Sequence, residues 1–277
     1  MAISNSTTLA SLLPEIVAEA IFTANERSLM RALVRNFTIP AGSGNSIKVP
    51  IYPTQAAASA NEATAFAGNV VNTGAVAISV GDVGMSTTVS DQAMIGSASN
   101  VIADIGGQFG RGIAAKIDED LCALFANFAT TVGAAGTLTG AMIFEAIAKL
   151  RTANAPASDM AVVIHPEVAY DLKAGLTNTF VNPNNGISTQ VMQDSYVGNL
   201  GGVNVYESTA MGITAGGVSV GAVFHKDALG LAMMKDITVE SQRESTLRAD
   251  TLTAHAVYGV SELIDLYGCN LNNTSTI

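Results

Sequence analysis

The sequence is short of charged and of bulky aromatic residues. Only 13% of its 277 residues are charged, about half the share usual in a soluble protein, and 5% are aromatic with no tryptophan. A hydrophobic content of 48% nevertheless excludes a disordered chain, which combines low hydrophobicity with high charge. With so few charges, much of the surface must consist of small neutral residues. Surface of that kind tends to be covered by another copy of the chain or by a partner.

Basic residues are the scarcer charged class. Thirteen Lys and Arg residues face 23 Asp and Glu residues, which gives a net charge of -10. A surface that follows nucleic-acid phosphates needs the opposite balance, so a nucleic-acid reader is disfavoured. No lysine or arginine occurs between Lys48 and Arg111.

Targeting and redox signals are also missing. Residues 1–13 have neither a basic start nor a long apolar run, so no signal peptide is predicted and synthesis in the cytosol is expected. No apolar run is long enough to predict a membrane span. The two cysteines, Cys122 and Cys269, have no metal-binding or redox spacing, and Cys122 is predicted to be a buried free thiol.

Motifs that carry catalysis are absent as well. The sequence has no phosphate loop, dinucleotide turn or nucleophile elbow. Three histidines lie far apart and are each predicted to be structural: His165, His225 and His255. Asp118, Glu119 and Asp120 spread over roughly 200° of a helix, which favours a solvated or interface-pairing face over a metal site. We therefore predict no catalytic, cofactor or metal site and no enzyme activity.

The first third of the chain combines a helix with extended segments. Apolar spacing predicts a helix over residues 9–35, along which Arg27, Arg31 and Arg35 follow at steps of four. These arginines indicate either a solvated helix face or a contact with an acidic partner or packaged polyanion. Extended runs follow at Phe37 to Pro40, Ser46 to Tyr52, Val70 to Val80 and Met85 to Ser90.

Residues 36–95 cannot build a core of their own. The stretch from Gln55 to Gly68 is almost entirely small and polar residues. This region must either be disordered or form a long two-stranded arm. Because an isolated two-stranded ribbon is marginal in water, an arm implies a partner, most simply a neighbouring copy.

A long helix is the strongest predicted element. Apolar residues recur at steps of three and four from Ile102 to Phe128, which predicts a helix over residues 98–129. Four glycines lie inside it and must permit close packing or a bend: Gly106, Gly107, Gly110 and Gly112. A helix that begins only after Gly112 is the alternative.

The rest of the chain predicts an α/β layer followed by strands. Helices are predicted at Thr139 to Thr152 and from Pro166 through Lys173, with a loop from Thr177 to Ser188. Strands are predicted at Met160 to Ile164, Val203 to Tyr206, Val218 to His225, Leu229 to Met233 and Ile237 to Ser241, with an extended or mixed run from Arg248 to Val257.

Four stretches of the sequence carry a family resemblance. They are KIDEDLCALFANF (116–128), MAVVIHPEVAYDLKAG (160–175), VGNLGGVNVYES (197–208) and FHKDALGLAMMKDITVESQRESTLRADTLTAHAVYGV (224–260). In this order, behind a helix and an extended hairpin, they resemble the major capsid proteins of tailed bacteriophages, which have the Hong Kong 97-type fold. The resemblance covers nearly the whole chain.

The resemblance implies an α+β fold with named regions. These are an N-arm (1–35), an E-loop hairpin over a neighbouring subunit (36–80), a peripheral domain with the spine helix (81–137 and 232–258) and an axial domain (138–231 and 259–277). It implies pentamers and hexamers that close an icosahedral shell around double-stranded DNA without reading its sequence. The shell would be part of the virion, assembled in the host cytoplasm.

The resemblance also implies partners and contact residues. A separate scaffolding protein and a portal are expected, with a decoration protein as a further candidate, and no cofactor or membrane is expected. The candidate inner or intersubunit contacts are Arg27, Arg31, Arg35, Lys48 and Glu62. The loop tip, residues 54–68, contains no lysine, so no covalent cross-link between subunits is predicted. An encapsulin-like compartment and a filament or surface-layer protein are the alternatives.

Overall fold

A computed structural model describes residues 20, 28–40, 42, 44–52, 74–96, 101–180 and 196–277. The helices in this part of the chain are α1 (Met30–Leu33), α2 (Asp91–Gly96), α3 (Val101–Ala123), α4 (Gly140–Thr152) and α5 (Pro166–Phe180). The strands are β1 (Arg35–Thr38), β2 (Ser46–Ile51), β3 (Gly74–Ser79), β4 (Gly81–Ser90), β5 (Thr131–Gly136), β6 (Met160–Ile164), β7 (Tyr196–Leu200), β8 (Val203–Glu207), β9 (Val218–His225), β10 (Leu229–Glu244), β11 (Ala249–Glu262) and β12 (Gly268–Thr274).

The long helix α3 forms because its apolar residues share one face. That face is buried and comprises Ile105, Phe109, Ile113, Ile117 and Leu121. A Cβ atom on Gly112 would lie 2.7 Å from the Met85 sulfur, so this glycine lets α3 approach β4 closely. The alternative start after Gly112 is wrong, since the helix begins at Val101.

A six-stranded sheet forms the larger of two packed layers, in the order β5-β12-β9-β6-β8-β7. Its interior strand β6 is buried at every position, as expected for a strand covered on both faces. Val162 packs in a cluster with α4 and α5, whereas its neighbours Ala161 and Val163 pack in the cluster around α3. The sheet therefore lies between the two shorter helices and the long one.

A four-stranded sheet covers the other side of α3, in the order β1-β10-β11-β4. Leu252, Ala254 and Ala256 of β11 belong to the same apolar cluster as α3 and Phe224 of the six-stranded sheet. The third sheet is a two-stranded ribbon of β2 and β3, which pair antiparallel from Ser46↔Ser79 to Ile51↔Gly74.

The predicted helix over 9–35 is wrong at its end, and its start lies outside the described residues. The backbone leaves the helical region at Val34 (φ -111°, ψ 168°), and β1 begins at Arg35. Pairing explains the change: β1 runs parallel to β10 and supplies the edge strand of the four-stranded sheet. Tertiary hydrogen bonding here overrides the local helical spacing.

Two other boundaries differ from the sequence predictions. Leu229 to Ser241 was predicted as two strands but forms one strand, β10, with irregular pairing near Lys235. The predicted loop from Thr177 is wrong for its first residues, because α5 continues to Phe180 through Gly175, which does not adopt a left-handed conformation. The remainder of that loop lies outside the described residues.

Candidate assembly surfaces

The ribbon of β2 and β3 has two chemically different faces. Cross-strand pairs place Ile47 beside Ile78 and Val49 beside Val76 on one face. The pair Lys48 and Ala77 belongs to the opposite face, which is otherwise formed by Ser46, Pro50, Ala75 and Ser79. This alternation is the pattern of a strand pair with one covered and one open face.

The base of the ribbon is anchored to the four-stranded sheet on the face that lies away from α3. Ile78 and Val49 are buried in a small apolar cluster with Ala232 and Leu263. A Cβ atom on Gly259 of β11 would lie 2.0 Å from the Ser79 carbonyl oxygen, an impossible contact. The glycine therefore permits the ribbon backbone to lie directly against β11.

Beyond its anchor the ribbon becomes exposed. Tyr52, which follows β2, is 69% exposed. An open cleft of about 210 Å³ separates this end of the ribbon from Arg35, Asp227 and Ile264. The cleft is smaller than the range of about 300–1,000 Å³ usual for small-molecule sites, so it offers no substrate pocket.

The predicted contact residues do not form one ladder. Arg31 lies in α1, whereas Arg35 lies in β1, where its guanidinium pairs with Asp227 at 3.3 Å and covers the Phe37 ring at 5.3 Å. The expected helical spacing of these arginines is therefore wrong at Arg35. Lys48 is exposed in β2. Arg27 and Glu62 lie outside the described residues.

The acidic cluster of α3 is divided between burial and solvent, which corrects the prediction of one polar face. Asp118 is buried and accepts hydrogen bonds from the Ser28 hydroxyl (2.7 Å) and the Leu29 and Met30 amides (3.0 and 3.2 Å). Burial raises the pKa of the Asp118 carboxyl, and these hydrogen bonds oppose that rise. Sequence spacing carries no signal for this contact, because the donors lie about 90 positions away.

The other two acids of the cluster have different partners. Asp120 pairs with Lys116 at 2.9 Å and accepts a 2.7 Å hydrogen bond from the Tyr258 hydroxyl. Burial, followed by this hydrogen bond, raises the Tyr258 pKa. Glu119 is exposed and lies 3.2 Å from Lys116. The three carboxylates thus do not converge on one point.

The three histidines each have a polar partner within the subunit. His165 and His225 each accept a backbone amide hydrogen bond at Nδ1, from Glu167 (3.3 Å) and Asp227 (3.2 Å), and His255 Nε2 lies 3.0 Å from Lys235 Nζ.

Both cysteines are buried free thiols, as predicted for Cys122. Burial raises the pKa of Cys122 to about 12 and that of Cys269 to about 11, so neither is a reactive thiolate at neutral pH. Within the described ranges, no group of three or more His, Cys, Asp or Glu residues could hold a metal ion. No described helix has the length and apolar character needed to cross a membrane.

The order of elements and the anchored ribbon can be compared with known proteins. A family model described as phage capsid protein matches residues 73–268. The chain belongs to the phage capsid protein family. This capsid protein has the α+β Hong Kong 97-type fold that its sequence resembled, and the resemblance to tailed-phage major capsid proteins is confirmed. Its family is structural and places it in the virion capsid.

Solved structures share the fold of this capsid protein at low sequence identity. The capsid of cyanophage P-SCSP1u matches with a TM-score of 0.70 and 17% identity, covering 90% of this chain and 89% of that one. A Mycobacterium phage Che8 structure matches with a TM-score of 0.67 and 18% identity, covering 82% and 84%. A virus-like particle from Pyrococcus furiosus matches with a TM-score of 0.64 and 10% identity, covering 94% and 98%. No curated protein matches by sequence.

Proposed function

We propose that this capsid protein associates into pentamers and hexamers that close an icosahedral shell around double-stranded phage DNA. The observation that carries the proposal is the ribbon of β2 and β3. Val49 and Ile78 are buried and fix the ribbon to the subunit, whereas Tyr52, which follows β2, is exposed in the isolated subunit. A ribbon of this kind gains cover when it lies on a neighbouring copy.

The proposed shell subunit has four regions. The N-arm is 1–35 and the E-loop 36–80, with the peripheral domain at 81–137 and 232–258 and the axial domain at 138–231 and 259–277. Strand pairing favours two refinements. Because β1 pairs with β10, residues 35–38 go with the peripheral domain, and because β5 pairs with β12, residues 131–136 go with the axial domain.

The charge of the chain fits a container for DNA. A net charge of -10 gives little general attraction to phosphates, which suits a shell that must release its contents. Local contacts with DNA, scaffold or a neighbouring copy are assigned to Arg27, Arg31, Arg35, Lys48 and Glu62. Further proposed partners are a separate scaffolding protein, a portal and a decoration protein, and assembly is placed in the host cytoplasm.

Electron microscopy of purified particles tests the proposal. Closed icosahedral particles with genome-length DNA are expected from infected cells. Shells that hold a cargo protein would favour the encapsulin-like alternative. Rods or sheets would favour a filament or surface-layer protein.

A substitution at the ribbon tests the overlap itself. Tyr52→Ala should reduce particle yield without lowering the stability of the unassembled subunit, because Tyr52 is exposed there. Tyr170→Ala is the matched control, since this tyrosine of α5 is similarly exposed at 57%. Equal yields from the wild type and Tyr52→Ala would contradict a role for this end of the ribbon.

A further inference from the structure

Three consecutive residues converge on one carboxylate of the long helix. The Ser28 hydroxyl and the Met30 amide donate to Asp118 Oδ1 at 2.7 and 3.2 Å, and the Leu29 amide donates to Oδ2 at 3.0 Å. An ionised carboxylate is an acceptor at both oxygens, so it can hold all three donors at once. Residues 28–30 are thereby tied to the C-terminal third of α3.

The burial of this contact makes the hydrogen bonds obligatory. Asp118 is 6% exposed and Ser28 is 7% exposed. Lys116, the nearest basic residue along α3, pairs with Glu119 and Asp120 instead, and none of the ion pairs found among the described residues includes Asp118. A buried carboxylate without a cation is costly unless hydrogen-bond donors satisfy it. Residues 28–30 supply those donors.

The residues that follow the contact are docked on the same subunit. Met30 and Val34 have no exposed surface and pack in the apolar cluster around α3. Arg35 then enters β1 at the edge of the four-stranded sheet. The path from Ser28 to β1 is therefore held by the carboxylate at one end, by apolar packing in the middle and by strand pairing at the other end.

We propose that Asp118 is a latch that holds residues 28–30 on the long helix of their own subunit before assembly. The latch fixes residues 28–30 on α3 and so sets the position of this part of the chain for contact with a neighbouring copy. Asp118 is a positioning residue in this role. The part of the proposal that concerns assembly depends on the shell function proposed above.

A second buried aspartate offers a control for the latch. Asp171 of α5 is 5% exposed and accepts hydrogen bonds from the amide (2.8 Å) and the hydroxyl of Thr276. Asp171→Asn should loosen Thr276 and leave residues 28–30 unchanged. Glu119→Gln is the local control, because Glu119 follows Asp118 in the helix but is exposed.

Hydrogen exchange of the unassembled subunit tests the latch directly. Asp118→Asn keeps the size of the side chain but leaves one acceptor oxygen, so amide exchange at Leu29 and Met30 should accelerate roughly tenfold or more. Ser28→Ala removes one donor and should give a smaller acceleration. Wild-type exchange in Asp118→Asn would overturn the proposal, and if that variant does not fold, wild-type exchange in Ser28→Ala would overturn it.

Particle yield then separates the latch from the shell function. Asp118→Asn should form fewer closed particles than Glu119→Gln under the same conditions. Wild-type yield despite fast exchange would overturn the assembly role of Asp118. Failure of the unsubstituted protein to form shells would instead overturn the shell function, and the exchange result would still decide whether Asp118 holds residues 28–30.

Discussion

The six-stranded sheet and the β2–β3 ribbon differ in where their cover comes from. Strand β6 is buried at all five positions, because α4 and α5 pack on one face and α3 on the other. The ribbon strands bury one residue each, Val49 of β2 and Ile78 of β3. The sheet is therefore stabilised by its own chain, whereas most of the ribbon is exposed or only partly buried in the subunit.

Phe224→Ala tests the six-stranded sheet and should have the largest effect on stability. Phe224 is fully buried, with its ring centroid 5.4 Å from that of Phe125. Its removal should lower the free energy of unfolding of the subunit by about 3–5 kcal/mol, measured by denaturant titration. Val76→Ala, on the partly buried face of the ribbon, is the comparison and should cost clearly less. Equal losses would break the distinction between the two regions.

Gly259→Ala tests the junction between the regions. The added methyl group would collide with the Ser79 backbone, so the ribbon or β11 must shift, at a cost of about 1–3 kcal/mol. Tryptic cleavage after Lys48 should accelerate as the ribbon detaches. Gly81→Ala, where a Cβ atom meets nothing within 4 Å, should cleave at the wild-type rate. Unchanged cleavage in Gly259→Ala would show that the anchor lies elsewhere.

The smallest expected effect is the change in subunit stability with pH that arises from Glu262, next to the ribbon anchor. Burial, reinforced by neighbouring Asp265, raises the pKa of Glu262 from 4.5 to about 7. The folded state thus holds this proton more tightly than the unfolded chain, so the stabilisation is complete below pH 4.5 and is lost as the pH rises to about 7. Because Glu262 is partly exposed, we expect a change of only about 1 kcal/mol.

Denaturant midpoints between pH 5 and pH 8 measure this effect. Glu262→Gln should flatten the pH dependence, while Glu145→Gln, on an exposed residue of α4, should preserve it. Glu262 ends β11 next to Leu263, which belongs to the cluster that covers Ile78. If the denaturant midpoint of Glu262→Gln depends on pH as strongly as that of the wild type, Glu262 beside the ribbon anchor is not the source of the effect.

Two strands rich in bulky apolar residues were predicted from the sequence at their observed bounds, whereas two strands rich in glycine or asparagine were missed. The observed bounds of β6 and β9, Met160–Ile164 and Val218–His225, are those predicted. By contrast, β5 (TVGAAG) and β12 (GCNLNNT) were missed, because glycine and asparagine disfavour strands locally. They form strands because β12 pairs with both β9 and β5.

The candidate assembly surfaces were likewise predictable only in part. The paired strands of the ribbon follow from the extended runs at Ser46 to Tyr52 and Val70 to Val80, although their overlap with a neighbour stays a prediction. The burial of Asp118 could not be predicted, because it stands in a run with Glu119 and Asp120, and acidic residues are mostly exposed. Its partners are fixed by tertiary packing, which local spacing does not encode.

The order of strands within the sheets has a consequence during translation. The four-stranded sheet joins β1 and β4 only through β10 and β11, and the six-stranded sheet needs β9 and β12 to link β5 to β6. Neither sheet can close on the ribosome until the last quarter of the chain has emerged. Until then the apolar face of α3 lacks the cover that β11 supplies, so we expect slow, non-local folding and exposure to aggregation. We therefore expect chaperones to bind the nascent subunit.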